Sequence, residues 1–229
     1  MSNKIQSYMA KSIKRSKRAL NEQKVLGHRS LIIKNDFIND LDIDAVFDII
    51  KKSVPEKFYH NVDAFYVGEF EEMLEREVNA LYKDGVIYIS NIQDDTDDMV
   101  DDIIHEIAHA LEDERGMDLY SDGKIEREFL AKRRLLLHRL HGERIDTEGY
   151  DFFDSEFDIN FDEFLYQDVG YPLLRSLTSD IFYSPYAATA LREYFADTFE
   201  AYFHKRKVNE VRSLSPAIYE KIEMLLEEE

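Results

Sequence analysis

A chain of 229 residues that is 44% hydrophobic and 13% aromatic can bury a sizeable core and does not have the composition of a disordered protein. Its 48 acids outnumber its 29 bases, and a net charge of −19 repels phosphate backbones, so the acidic body is not expected to bind nucleic acid. The absence of cysteine excludes disulfides and cysteine-ligated metals, and no run approaches the roughly 18 apolar residues of a membrane span.

Residues 1–24 carry seven bases and one acid, Glu22. An arm over 1–28 therefore reads as a solvated, basic helical extension, with docking on nucleic acid or an acidic partner as the alternative. Tyr8 is its one aromatic residue, which gives little support for base stacking. Its bases precede no apolar run, so it is not read as a signal peptide. The chain is expected in the cytoplasm as synthesised, with any release by a non-classical route or with a phage particle.

From position 29 the pattern becomes that of a single α+β domain, 29–229. "SLIIK" (30–34) predicts a strand, and "DIDAVFDIIKK" (42–52) a helix that ends before Pro55, because the residue preceding proline avoids helical geometry. "DAFYV" (63–67) reads as a strand and "EFEEMLERE" (69–77) as a short helix. "VNALYKDGVIYIS" predicts a hairpin around Lys83-Asp84-Gly85, with Gly85 supplying a positive φ. The run "VIYIS" (86–90) is a candidate edge strand for an extended peptide, or else an interior strand.

The next helix carries the chemistry. "DDTDDMVDDIIHEIAHALEDERG" opens on Asp94, Asp95, Thr96, Asp97 and Asp98 as cap candidates and is expected to stop at Gly116. Val100, Ile103, Ile104, Ile107, Ala108 and Leu111 form an apolar stripe. His105 and His109 fall one turn apart on another side, with Glu106 next to the first. This spacing lets two imidazoles bind one zinc ion while a carboxylate reaches an activated water. Two surface histidines on a solvated face are the bland alternative, and the apolar residues around them argue for a protected site.

A third ligand must come from elsewhere. A glycine at position 112 and a histidine at 115 would continue the metzincin pattern, but Glu112 and Arg115 stand there. "ALREYFADTFEAYF" (190–203) offers Glu193 and Asp197 one turn apart, above an apolar face of Leu191, Phe195, Phe199 and Phe203. Glu193 as ligand and Asp197 as acceptor from a ligating imidazole complete the set. Asp197 or Glu200 as the ligand is the competing assignment.

"HEIAHALED" together with "YAATALREYFADTF" resembles the anthrax lethal factor-like metallopeptidases, a family that includes the clostridial Pro-Pro endopeptidases. In that family HExxH is followed by a helix of the form E-[FY]-F-A-[ED]-x-F whose first glutamate binds zinc. Glu193 matches that glutamate, and Asp197 matches the later acid. The resemblance implies a zincin-like fold with a small mixed sheet, an edge strand, an active-site helix and a C-terminal helical part. It also implies one Zn2+ held by His105, His109 and Glu193, with Glu106 as general base. Tyr186 in "SPYAAT" would then polarise the scissile carbonyl. The tail, with Pro216 and Tyr219, resembles the family's closing helix. The resemblance covers about 86–113 and 183–225, and the segment at about 117–182 is an insertion: a basic helix (124–141) followed by an acidic, phenylalanine-rich stretch.

The expected activity is that of a zinc endopeptidase acting on a protein or peptide, with no membrane partner. The alternatives are a non-catalytic zincin scaffold for interaction or assembly in a phage or mobile element, and a delivered toxin or effector protease. His138 and His141, at i and i+3 on a helix, lack a nearby carboxylate pair and read as surface residues. "DFFDSEFDINFDEF" (151–164) lacks the glycine and spacing of a calcium loop.

Overall fold

The computed structural model describes residues 22–38, 41–76 and 78–228. Most of the expected basic arm, residues 1–21, lies outside them; its last part, Glu22–Val25, forms the first strand, β1. The chain divides into two compact units, 1–110 and 111–229. The division falls inside one helix.

In the first unit, β1 pairs antiparallel with β2 (Arg29–Ile33). Helix α1 (Ile43–Ser53) follows, capped by the Asp42 carboxylate on the Ala45 N–H at 3.1 Å and ended at Val54, ahead of Pro55. β3 (Ala64–Val67), α2 (Glu71–Arg76), β4 (Ala80–Lys83) and β5 (Val86–Ile89) come next. The sheet order is β1-β2-β3-β5-β4, with β2, β3 and β5 parallel and β4 antiparallel to β5. The α+β class expected from the sequence is observed, with a small mixed sheet.

Register explains which face is core. Leu31, Phe65 and Ile87 align across three strands, and all are fully buried, as are Val67 and Ile89. α1 covers this face, with the Phe47 and Phe65 rings edge-on at 4.9 Å. The hairpin turns through Asp84 at φ 50° and Gly85 at φ 79°. Positive φ at both central positions gives the twist a two-residue hairpin needs, so aspartate–glycine is the sequence that fits. β5 lies between β3 and β4 and is therefore interior. Of the two readings of 86–90, the interior strand is found and the edge strand is not: among the described residues the strand with one neighbour at this end of the sheet is β4.

Helix α3 (Thr96–Tyr120) begins where Asp95 accepts the N–H groups of Asp97 and Asp98 at 2.7 and 3.0 Å. Val100, Ile103, Ile104 and Ile107 are fully buried. The helix does not stop at Gly116. It kinks at Arg115 (φ −112°, ψ 17°) and continues to Tyr120. Arg115 is paired to Asp118 at 2.5 Å and to Glu228 at 2.6 Å, and the Lys221 ammonium donates to the Asp118 carbonyl at 2.7 Å. Those contacts satisfy the extra turn, so the glycine stop is overridden.

The second unit is helical: α4 (Lys124–Gly142), α5 (Ile159–Glu163), a π turn (Phe164–Gly170), α6 (Tyr171–Thr178), α7 (Leu191–Phe203), α8 (Val208–Leu214) and α9 (Pro216–Glu227). α7 is buried along almost its whole length, from Tyr194 to Phe199. Tyr194 stacks on Phe129 of α4 at 5.8 Å and meets Phe182 edge-on at 5.5 Å. The Tyr194 hydroxyl donates to Glu128 at 2.7 Å, and the other Glu128 oxygen accepts the Ala217 N–H at 3.0 Å, so one carboxylate ties α4, α7 and α9. In the acidic stretch, Phe152, Phe161 and Phe164 are buried, whereas Phe153 and Phe157 are exposed. No described helix is long and apolar enough to cross a membrane.

Candidate metal centre

Burial of the apolar stripe of α3 decides where its polar side chains go. His105 and His109, both half-buried, stand one turn apart with ring centroids at 5.0 Å and planes at 78°. Glu193 lies in the first turn of α7, where the positive end of the helix favours a carboxylate. One ligand atom from each of His105, His109 and Glu193 lies within 4.8 Å of the other two, and among the described residues no other such trio of histidines and acids is found. This group can hold a metal ion. Neither Asp197 nor Glu200 belongs to it; Glu200 pairs with Lys205 at 2.6 Å.

The donor set can be tested against the ion. Ligands at about 2.0–2.1 Å around a tetrahedral centre stand roughly 3.3 Å apart, so atoms within 4.8 Å close on an ion by side-chain adjustment alone. Two imidazole nitrogens and one carboxylate oxygen suit a divalent first-row metal and are a poor set for calcium or magnesium, which prefer oxygen throughout. The residues fit such a group.

Glu106 is 8% exposed, and its Oε2 accepts the backbone N–H of Tyr82 on β4 at 2.5 Å. Asp197 is buried and accepts the Ser184 N–H at 3.1 Å, which fixes the start of the loop leading to Tyr186. Tyr186 opens a short 3-10 turn (Tyr186–Ala188) just ahead of α7 and is 40% exposed. The Leu191 N–H donates to the Ser155 carbonyl at 2.9 Å, anchoring the first turn of α7 on the acidic stretch. Asp162 of that stretch has its pKa raised by burial and by the neighbouring negative charge of Glu193.

No protein-family model, curated protein or solved structure matches this chain.

Two further groups adjoin the trio and were not read from the sequence. Glu112, three residues after His109, is buried and accepts from the Tyr120 hydroxyl and from Arg192 Nε at 3.2 Å. Its position on the side of α3 that carries His109, with an arginine just before Glu193, was the available signal. Asp102, one turn before His105, has its pKa pushed up to about 6, chiefly by burial, with a Gln93 hydrogen bond opposing. The pair His138 and His141 forms no metal group among the described residues, and His141 Nε2 lies 2.9 Å from the Thr147 hydroxyl.

Proposed function

We propose that this chain is a zinc-dependent endopeptidase of zincin-like architecture, with His105, His109 and Glu193 holding one Zn2+. The observation that carries the reading is the convergence of those three donors within 4.8 Å, with a buried glutamate following the first histidine. When bound, zinc supplies a Lewis acid and lowers the pKa of water towards neutrality. Glu106 takes a proton from the water that attacks the peptide carbonyl and passes it to the leaving amine nitrogen as the C–N bond breaks. Tyr186 donates a hydrogen bond to the oxygen on which negative charge develops. Its support is positional: an exposed phenol ahead of α7, on a loop held by Asp197. The family resemblance in the sequence assigns the same roles.

The edge strand β4 is the natural rail for an extended substrate. The Tyr82 N–H that faces outward from it is given to Glu106.

Metal analysis and cleavage profiling test the reading together. Purified protein should carry about one zinc per chain, lost on His105→Ala, and should cleave members of a peptide library. Glu106→Ala should keep the zinc and lose the cleavage. Unchanged metal in His105→Ala sinks the ligand set, and identical profiles for wild type and Glu106→Ala reduce the protein to a scaffold.

A further inference from the structure

Glutamate side chains end in a torsion with a broad, two-fold preference, so a helix that places Glu106 beside His105 does not by itself fix the plane of its carboxylate. Something else must. The Tyr82 N–H lies 2.5 Å from Oε2 in a site where Glu106 is only 8% exposed.

The availability of that N–H follows from the hairpin. Lys83 and Val86 flank the two-residue turn and pair with each other, and the Ser90 N–H donates to the Asn79 carbonyl at 2.8 Å. In an antiparallel ladder the bonded pairs alternate, so 81 and 83 spend their backbone groups on β5, in phase with the Asn79 carbonyl, while Tyr82 turns its own outward. The outward N–H at an edge would ordinarily face water or another strand. Here it meets the candidate general base.

We propose that the Tyr82 backbone N–H positions Glu106 for proton transfer, an inference that rests on the peptidase reading of the site. It holds Oε2 and leaves Oε1 free to face the attacking water. A charge-assisted bond to one oxygen is short and directional, which sets the plane of the whole carboxylate. The device belongs to the main chain, so any residue except proline at position 82 provides it.

The test removes one hydrogen atom. In the metal-free protein, amide hydrogen exchange at Tyr82 should be at least about tenfold faster in Glu106→Ala than in wild type. In zinc-loaded protein, replacing Tyr82 by its α-hydroxy acid turns the N–H into an ester oxygen and keeps the side chain. This variant should lose about 10- to 100-fold in kcat, with KM and zinc content within twofold of wild type. Tyr82→Pro should show the same split, and its loss should exceed that of Tyr82→Ala, which keeps the N–H. Should proline at this edge prevent folding, the ester carries the test.

Equal exchange rates, an unchanged kcat in the ester variant, or a loss that appears in KM or bound zinc instead would overturn the proposal. Wild-type protein that binds zinc but cleaves nothing fails differently: it removes the peptidase reading, and the inference with it.

Discussion

Arg192 donates its Nε–H to Glu112 at 3.2 Å, and both are chain neighbours of the trio: Glu112 follows His109 by three residues and Arg192 immediately precedes Glu193. The Glu112 side chain is 3% exposed against 56% for Arg192, so a buried acceptor holds a partly solvated arginine. With the Tyr120 hydroxyl on its other oxygen, Glu112 fixes the first turn of α7 against the end of α3.

Glu112→Gln should therefore weaken both the fold and the metal site. The amide must present an NH2 group to one of two donors, and leaving a buried donor unpaired costs about 1–3 kcal/mol. Direct hydrogen-bond partners of metal ligands are worth about 10- to 100-fold in affinity; Glu112 acts through Arg192, the chain neighbour of Glu193, and a loss of zinc affinity of up to about tenfold is expected here. Urea unfolding of the metal-free protein and competition with a chromophoric chelator measure the two effects. Zinc affinity equal to wild type would show that this tie has no part in placing Glu193.

Asp102 gives a pH signature in the metal-free protein. Its folded pKa of about 6 lies above the unfolded value of 3.8 because burial penalises the charged form. Between those values the folded state binds more protons, so unfolding free energy falls as pH rises from about 4 to 6 and stays lowered above that. Asp102→Asn can still accept from Gln93 and carries no charge. It should be more stable than wild type at pH 7.5 by about 1–3 kcal/mol, with the difference vanishing near pH 4. A variant less stable than wild type at both pH values would contradict the assignment.

Lys132 predicts a slope of the opposite sign. Its ammonium is buried under the Tyr194 ring at 4.9 Å and donates to the Leu214 carbonyl at 2.8 Å. Burial pushes its pKa from 10.5 down to about 8, against the attraction of Glu128 and Asp197. From about pH 8 to 10 the unfolded chain binds more protons, so stability rises with pH over that window. Lys132→Met should remove the rise, about 1–3 kcal/mol, when both proteins are titrated by denaturant between pH 7 and 10. Parallel pH curves for the two would place the titration elsewhere.

What was legible in the sequence was local. The stop before Pro55 and the Asp84-Gly85 turn each depend on a few adjacent residues, and each is found where the pattern put it. The candidate ligands were also readable, because histidines four apart and a glutamate opening an apolar helix are periodic signals. Features set by distant contacts were not. Gly116 fails as a stop because Arg115 and the Asp118 carbonyl find partners near the far end of the chain. β5 became interior because strand order joins it to β3, which no property of residues 86–90 announces. The Tyr82 N–H has no side-chain signature at all.

Arg133 shows the same limit and yields the last prediction. It sits on a basic helix yet is 1% exposed, with its guanidinium 3.9 Å above the Phe161 ring. Its Nη atoms donate to the Asp154 and Asp151 carbonyls at 2.6 and 3.0 Å, and burial lowers its pKa to about 10. The acidic stretch is thus held by its main chain, and through Ser155 it reaches the Leu191 N–H at the start of α7. Lysine keeps the charge but lacks the planar fork and stacks poorly. Arg133→Lys should cost about 2–3 kcal/mol in unfolding free energy and open the stretch 144–158 to limited proteolysis before global unfolding. Cleavage at that stretch no faster than in wild type would mean that its phenylalanines, and not the arginine, keep it in place.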